Sequence, residues 1–228
     1  GGGRGGSGPS ITARKEWSVN TNVYTAPIAY DWRLFVHQFT GRAELDEGHK
    51  WRMRNGVGVD YRRDRIEAAA ELHQSTGHGG RFGASGKVDY YPSDGWRLSA
   101  AADSDSNALP WRAYDADVHG WTATLGVRRQ PTSRRYFDLT YEHADYSDGN
   151  AREQVAATWF EQVWAIPRHS VSTWAGVGFS RNSRQDVSYF SPRRDATAQV
   201  TAMYEWRPWR DGQYAFRQRV YATAGAYK

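Results

Sequence analysis

The 228-residue chain contains no cysteine, so disulfides and thiolate metal sites are excluded. It also has no apolar run of even ten residues, and a membrane-crossing helix needs about 20. Mean hydropathy is −0.81 and 24% of residues are charged, which together read as a polar chain. None of this excludes a membrane β-barrel, because a barrel strand needs only about five outward apolar residues and hides in a polar composition. No apolar run precedes the first strand-like segment and no helical repeat is visible.

What is present is a rhythm of strand-like stretches about ten residues long, in which apolar and polar residues alternate. Successive side chains of a strand point to opposite faces. Trp51, Met53, Val57, Val59 and Tyr61 share one face, with Arg52, Arg54, Gly56, Gly58, Asp60 and Arg62 on the other. The next segment sets Ile66, Ala68, Ala70 and Leu72 against Arg65, Glu67, Glu71 and His73. Phe82, Ala84, Val88 and Tyr90 then oppose Arg81, Ser85, Lys87 and Asp89, and Trp96, Leu98, Ala100 and Ala102 oppose Arg97, Ser99 and Asp103. Later apolar faces run through Trp121 to Val127, Phe137 to Tyr141, Val171 to Phe179 and Val200 to Trp206. Between Arg152 and Ile166 two registers fit, one turning Trp159 and Val163 outward and the other Phe160 and Trp164.

Connections with turn chemistry punctuate the rhythm at Ala26 to Ile28, Arg63-Asp64, Pro92 to Gly95, Gln130 to Ser133, Pro167-Arg168 and Pro208 to Gly212. Longer polar links are expected at Thr40 to Lys50, Gln74 to Gly80, Ser104 to Asp117, Ser147 to Arg152 and Arg181 to Asp195. Short turns on one side and long loops on the other are the asymmetry of an outer-membrane barrel, and 11 Trp with 14 Tyr supply its aromatic girdles. The fold class read from the pattern is all-β, a transmembrane antiparallel up-and-down β-barrel with about twelve strands visible. A soluble propeller or sandwich also uses short regular strands, but these strands are long and carry no internal repeat.

Several function classes lose ground on the same residues. The net charge of +5 is spread along alternating strands and not gathered into a patch, which argues against nucleic acid as a partner. His37, His49, His73, His78, His119, His143 and His169 are scattered, so they suggest no metal site, and none lies in a recognisable nucleophile motif. Gly1 to Gly8 precedes no helix, so it is no phosphate loop; residues 1–10 read as a glycine-rich loop or leader and 11–228 as a partial outer-membrane barrel domain. No cofactor and no enzymatic activity are expected.

Particular motifs carry a family resemblance. Ala26-Pro27-Ile28 with Asp31-Trp32-Arg33-Leu34-Phe35, Pro110-Trp111-Arg112-Ala113, Phe137 through Tyr146-Ser147-Asp148-Gly149-Asn150, and above all Ser180-Arg181-Asn182-Ser183 with Asp186 to Asp195 resemble the C-terminal barrel of the PgaA, or HmsH, family. The resemblance implies an outer-membrane porin that exports the biofilm polysaccharide poly-β-1,6-N-acetyl-D-glucosamine. It further implies sixteen strands, so that one strand would precede and about three would follow those visible, and a periplasmic helical-repeat domain outside this chain that engages a periplasmic deacetylase. Expected partners are therefore the partly de-N-acetylated polymer and outer-membrane lipid. An exporter of another exopolysaccharide, cellulose or alginate, and an adhesive or structural barrel stay open.

A partly de-N-acetylated polymer carries ammonium groups, for which inward carboxylates would be guides. By alternation Glu67, Glu71, Asp89, Asp103, Asp138, Glu142 and Glu205 face inward, but so do Arg52, Arg54, Lys87, Arg128, Arg217 and Arg219, and cross-strand pairing is the plainer use for each. Trp174, large among Ser172, Gly176, Gly178 and Ser180, is either a sugar-stacking platform or lumen packing. The segment with Asp186, Tyr189, Phe190, Pro192 and Asp195 is either a rigid connection or a loop that folds inward and gates the pore.

Overall fold

The computed structural model describes residues 15–228 apart from 46–47, 77–79, 108 and 212–213. Residues 1–10, read above as a leader, lie outside the described residues. Twelve strands follow one another: β1 (Lys15–Tyr24), β2 (Trp32–Leu45), β3 (Gly48–Arg63), β4 (Ile66–Thr76), β5 (Arg81–Tyr90), β6 (Trp96–Asp103), β7 (Gly120–Thr132), β8 (Arg135–Tyr146), β9 (Ala151–Ile166), β10 (His169–Asn182), β11 (Arg194–Asp211) and β12 (Tyr214–Tyr227). One five-residue helix, α1 (Trp111–Asp115), lies between β6 and β7. Each strand pairs antiparallel with the next, and the sheet order runs from β1 to β12 without joining its ends.

The two faces separate as the alternation requires. Outward side chains such as Val57, Leu72, Phe82, Leu125, Val177 and Val200 are 47–82% exposed, whereas inward Arg52, Arg54, His73, Asp89 and Glu205 are buried. A soluble protein reverses that arrangement. The apolar outer band is bordered by aromatics at both ends: Trp17, Trp51, Phe82, Trp121 and Phe179 toward one rim, Trp32, Tyr61, Trp96, Trp164 and Trp206 toward the other. From Trp51 to Tyr61 a strand rising ~3.4 Å per residue at a tilt of ~40° climbs roughly 25 Å, the height of a lipid-facing band.

Three irregularities sit near the short-turn rim, where barrels use bulges to bend a strand. The pairing slips between Arg129 and Thr132 and between Trp206 and Trp209, at Pro131 and Pro208. Proline has no N–H for the ladder and is accommodated at a bulge. These two prolines, expected in turns, therefore lie inside β7 and β11, which run on to Thr132 and Asp211. The third slip explains the ambiguous segment. Val171 pairs with Trp164 but Ser172 with Gln162, leaving Val163 unpaired. Trp159 faces out before this bulge and Trp164 after it, while Phe160 faces in. Each register is right on one side of Val163.

The loop asymmetry is less regular than the sequence suggests. Thr40 to Lys50 is no long loop, since β2 continues to Leu45 and β3 begins at Gly48. Among the described connections only those between β6 and β7 and between β10 and β11 are long. At the opposite rim Gly95 closes the β5–β6 turn with φ +75°, and a Cβ there would lie 2.4 Å from the Gln130 carbonyl oxygen. Gly58 makes room inside the sheet: its Cβ would meet Phe35 Cζ at 2.3 Å and the Ala70 carbonyl oxygen at 2.4 Å. The Phe35 ring from β2 lies over that gap, and tilts against Tyr24 of β1 with centroids 5.6 Å apart.

Candidate functional site on the inner face

The sheet is curled strongly enough for side chains to meet across its inner face. Arg54 of β3 donates through Nη1 to Asp103 of β6 at 2.8 Å and also reaches the Asp105 carbonyl. Three strand spacings would separate these positions by ~14 Å in a flat sheet, so the contact requires curvature toward this face. His37 of β2 meets Glu71 of β4 at 2.9 Å.

Most of the inward carboxylates are already matched by cations. Glu67 pairs with Arg62 at 3.2 Å and Asp89 with Lys87 at 2.8 Å. Asp138 receives a two-pronged contact from Arg128. Glu205 is held between Arg219 at 2.7 Å and Arg207 at 2.8 Å. Glu142 differs: it faces inward beside Thr124 and Gln154 and has no cationic partner among the described residues. Pairing across strands accounts for Glu67, Glu71, Asp103, Asp138 and Glu205, and pairing along β5 for Asp89, which leaves Glu142 apart. No trio of His, Asp and Glu suited to a metal occurs among the described residues.

Trp174 stands in a row of inward aromatics. Its ring lies 5.0 Å from Phe160, which stacks on Tyr136 at 4.8 Å and 20°. The Arg128 guanidinium covers Tyr136 at 4.3 Å. The bulge at Val163 hides in the sequence which way Phe160 faces, whereas Tyr136 is a residue the sequence reading missed although its parity with the outward Phe137 turns it inward.

At the long-loop rim two connections fold inward. The β6–β7 loop is clasped by Arg52, whose guanidinium lies 4.6 Å over Trp111 and 4.4 Å over Tyr114 while Nη1 donates to the Asn107 carbonyl at 2.7 Å. Lys50 pairs with Asp115, and the Tyr114 hydroxyl donates to the Thr76 carbonyl at 2.9 Å. The β10–β11 loop joins it through a small apolar cluster of Leu109, Ala113, Val118, Ala144, Tyr146 and Tyr189. Asn150, fully buried, ties this loop down: its Nδ2 donates to Tyr189 Oη at 3.0 Å and Ser191 Oγ at 3.2 Å, and its Oδ1 accepts from the Arg184 N–H at 3.0 Å. Burial pushes the Tyr114 and Tyr189 phenols above the usual tyrosine range, so both stay protonated at neutral pH.

The residues grouped as one gate therefore separate. Tyr189 turns into the mouth, and the Pro192 carbonyl accepts from Asn182 Nδ2 at 2.7 Å. Phe190 is 53% exposed on the other side, and Asp186 is exposed and paired with Arg184 at 2.7 Å. Asp195 is not in the loop at all; it lies in β11 and accepts from the Ser180 hydroxyl. Trp111 and Asn150 lie in segments that carry the family resemblance, but their roles at the mouth are not legible in it, since Arg52 finds its partners 55 to 62 residues away and Asn150 up to 41.

A polar inner face, a lipid-facing outer face between two aromatic girdles, and loops folded into one mouth describe a membrane barrel. The PgaA membrane β-barrel domain matches residues 3–228. The chain belongs to that family. It is 27% identical over 221 residues to the poly-β-1,6-N-acetyl-D-glucosamine export proteins of Escherichia coli strain K12 and of Escherichia coli O157:H7. The match takes in 94% of this chain and 27% of each relative, so the chain spans about a quarter of their length. The solved structure of a bacterial polysaccharide outer membrane secretin superposes with a TM-score of 0.85 over 96% of this chain and 76% of that one, at 23% identity. That likeness supports the PgaA-type barrel fold.

Proposed function

We propose that this barrel is the translocation domain of an outer-membrane exporter of poly-β-1,6-N-acetyl-D-glucosamine. The observation that carries the reading is the contrast between the faces: an apolar, aromatic-bordered exterior encloses an inner face of hydroxyls, amides and compensated charges. A polymer moves through such a lumen when many weak contacts replace one tight one, so that binding favours entry and still permits exit. Five of the seven inward carboxylates named above have arginine or lysine partners and Glu71 is hydrogen-bonded by His37, so they stiffen the wall more than they attract substrate; Glu142 is left as the carboxylate available to an ammonium of a de-N-acetylated unit. The β6–β7 and β10–β11 loops, tied by Arg52 and Asn150, narrow the mouth. In the full-length protein a periplasmic domain would deliver polymer after a deacetylase has acted on it.

Planar-bilayer conductance of the full-length protein tests this. Partly de-N-acetylated poly-β-1,6-N-acetylglucosamine is expected to block the current. A channel blocked by cellulose or alginate oligomers instead would reassign the substrate, and a protein that carries no current would be an adhesive or structural barrel.

A further inference from the structure

One sector of the inner face is built unlike the rest. Between Arg152 and Asp195 toward the long-loop rim, and Glu205, Arg207 and Arg219 toward the short-turn rim, the inward positions of β9 to β12 carry no charged side chain among the described residues. They are mostly serine, threonine, glutamine and glycine, exemplified by Thr158, Ser172, Gly176 and Gln199. The aromatic row enters this sector. Tyr136, Phe160, Trp174, Thr201 and Thr223 are successive cross-strand partners on β8 to β12. Tyr136 stands at the foot of β8, Phe160 and Trp174 stand higher on their strands, and Thr201 and Thr223 lie near mid-strand. The row therefore climbs away from the short-turn mouth as it passes round the wall.

Its two ends differ. The foot is capped by the Arg128 guanidinium over Tyr136. At the top the indole has Phe160 on one side and only Thr201 on the other, whose hydroxyl is 2.9 Å from that of Thr223. All three rings are half-buried. A β-linked N-acetylhexosamine has an apolar face of axial C–H bonds and a rim of hydroxyl and acetamido groups. An aromatic platform beside uncharged donors and acceptors matches both parts, and the absence of charge removes a reason for an ammonium to stop there.

We propose that Trp174, braced by Phe160 and Tyr136, is the platform of an oblique stacking track for the N-acetylated, uncharged sugar rings of the exported chain. The inference rests on the export reading above and assigns neutral and cationic units to different walls: acetylated rings to β8–β12, ammonium groups to Glu142.

Single-channel blockade of the full-length protein by two β-1,6-linked glucosamine hexamers, one fully acetylated and one fully de-N-acetylated, separates the possibilities. Trp174→Ala and Phe160→Ala are each expected to shorten blockades by the acetylated hexamer about three- to tenfold, the size of one lost aromatic contact. Trp174→Phe is expected to keep most of the dwell time. Thr201→Phe adds a ring at the open end and is expected to lengthen it, which keeps the test decisive should Trp174→Ala fail to assemble. Wild-type blockade that Trp174→Ala and Thr201→Phe both leave unchanged, in channels of normal open conductance, overturns the track and leaves the export reading standing. Wild-type channels indifferent to both hexamers overturn the export reading, and the track falls with it.

Discussion

From β2 to β8 the inner face is fastened by charged pairs between neighbouring strands, such as Arg128 with Asp138, and by contacts that reach over intervening strands, Arg54 with Asp103 and His37 with Glu71, whereas the middle of β9 to β12 presents hydroxyls, amides, glycines and a few rings with no charge among the described residues. Both walls must be polar, because both face the inside of a membrane barrel. In the first, arginines and carboxylates such as Arg54 with Asp103 and Arg128 with Asp138 are occupied with one another and hold the curl of the sheet. The second carries uncharged donors and acceptors, of which Thr158 and Gln199 are not buried, and a sliding chain can use them. The difference separates a wall that sets shape from a wall that makes contact, and substitutions in the two should fail in different ways.

The largest expected effect is at Arg54, 5% exposed and bound to both Asp103 and the Asp105 carbonyl. Arg54→Ala leaves a carboxylate without its partner in a partly buried site, and breaking such a pair costs about 3–5 kcal/mol. The temperature at which the full-length protein loses its folded, heat-modifiable band should fall clearly. Ser172→Ala on the other wall, although also buried, should move it far less. Arg54→Lys should lie between, since an ammonium keeps the charge but lacks the fork that reaches both acceptors.

Gly58→Ala attacks the same wall through its packing. The added methyl meets Phe35 and a backbone carbonyl together, and the carbonyl cannot swing aside as a flexible side chain would. Overpacking of this kind costs about 1–3 kcal/mol. Gly176, on the other wall, has its nearest neighbour at 3.6 Å, so Gly176→Ala should be tolerated. Equal loss of stability at Gly58 and Gly176 in thermal unfolding would erase the contrast between the walls.

At the rim, Asn150→Ala should free the β10–β11 loop without unfolding the barrel. It removes a fully buried side chain that serves Tyr189, Ser191 and the Arg184 N–H, and unsatisfied buried partners cost about 1–3 kcal/mol. Faster hydrogen exchange over residues 184–193, with strand protection unchanged, is the expected result.

The strands were readable because a period of two is imposed twice, by lipid outside and water inside, so that almost any stretch of ten residues repeats the evidence. Where a strand departs from that period the reading stalled. Val163, Pro131 and Pro208 each add one residue to a strand, and a single extra residue changes which face follows. The Thr40 to Lys50 segment was polar enough to pass for a loop, yet Ala43 and Leu45 pack with Trp111 and keep the strand in place. That packing depends on α1, far along the chain, and local sequence carries no trace of it. The candidate site divides in the same manner. Direction into the lumen follows from parity and holds for Glu67 through Glu205, but whether a carboxylate is matched depends on which cation the curl brings close. Arg54 reaching Asp103 three strands away is of that kind, and so is the absence of any such partner at Glu142 among the described residues.

Glu142 sharpens the comparison with the smallest effect on stability. It lies at the border between the walls, on β8 with Thr124 and Gln154 as cross-strand neighbours. Glu142→Gln keeps shape and hydrogen-bonding capacity and removes a charge that supports no ion pair among the described residues, so the melting temperature should shift by no more than ~0.5 kcal/mol would produce. Asp138→Asn, which strips Arg128 of its partner, should cost more. The order reverses for ligand: a lumen carboxylate whose field is not already spent on a guanidinium attracts an ammonium more strongly than one that is paired. Blockade by the fully de-N-acetylated hexamer should therefore weaken in Glu142→Gln and change little in Asp138→Asn. Should Asp138→Asn weaken it as much, paired carboxylates contribute to the path, and the charged wall would be making contact as well as setting shape.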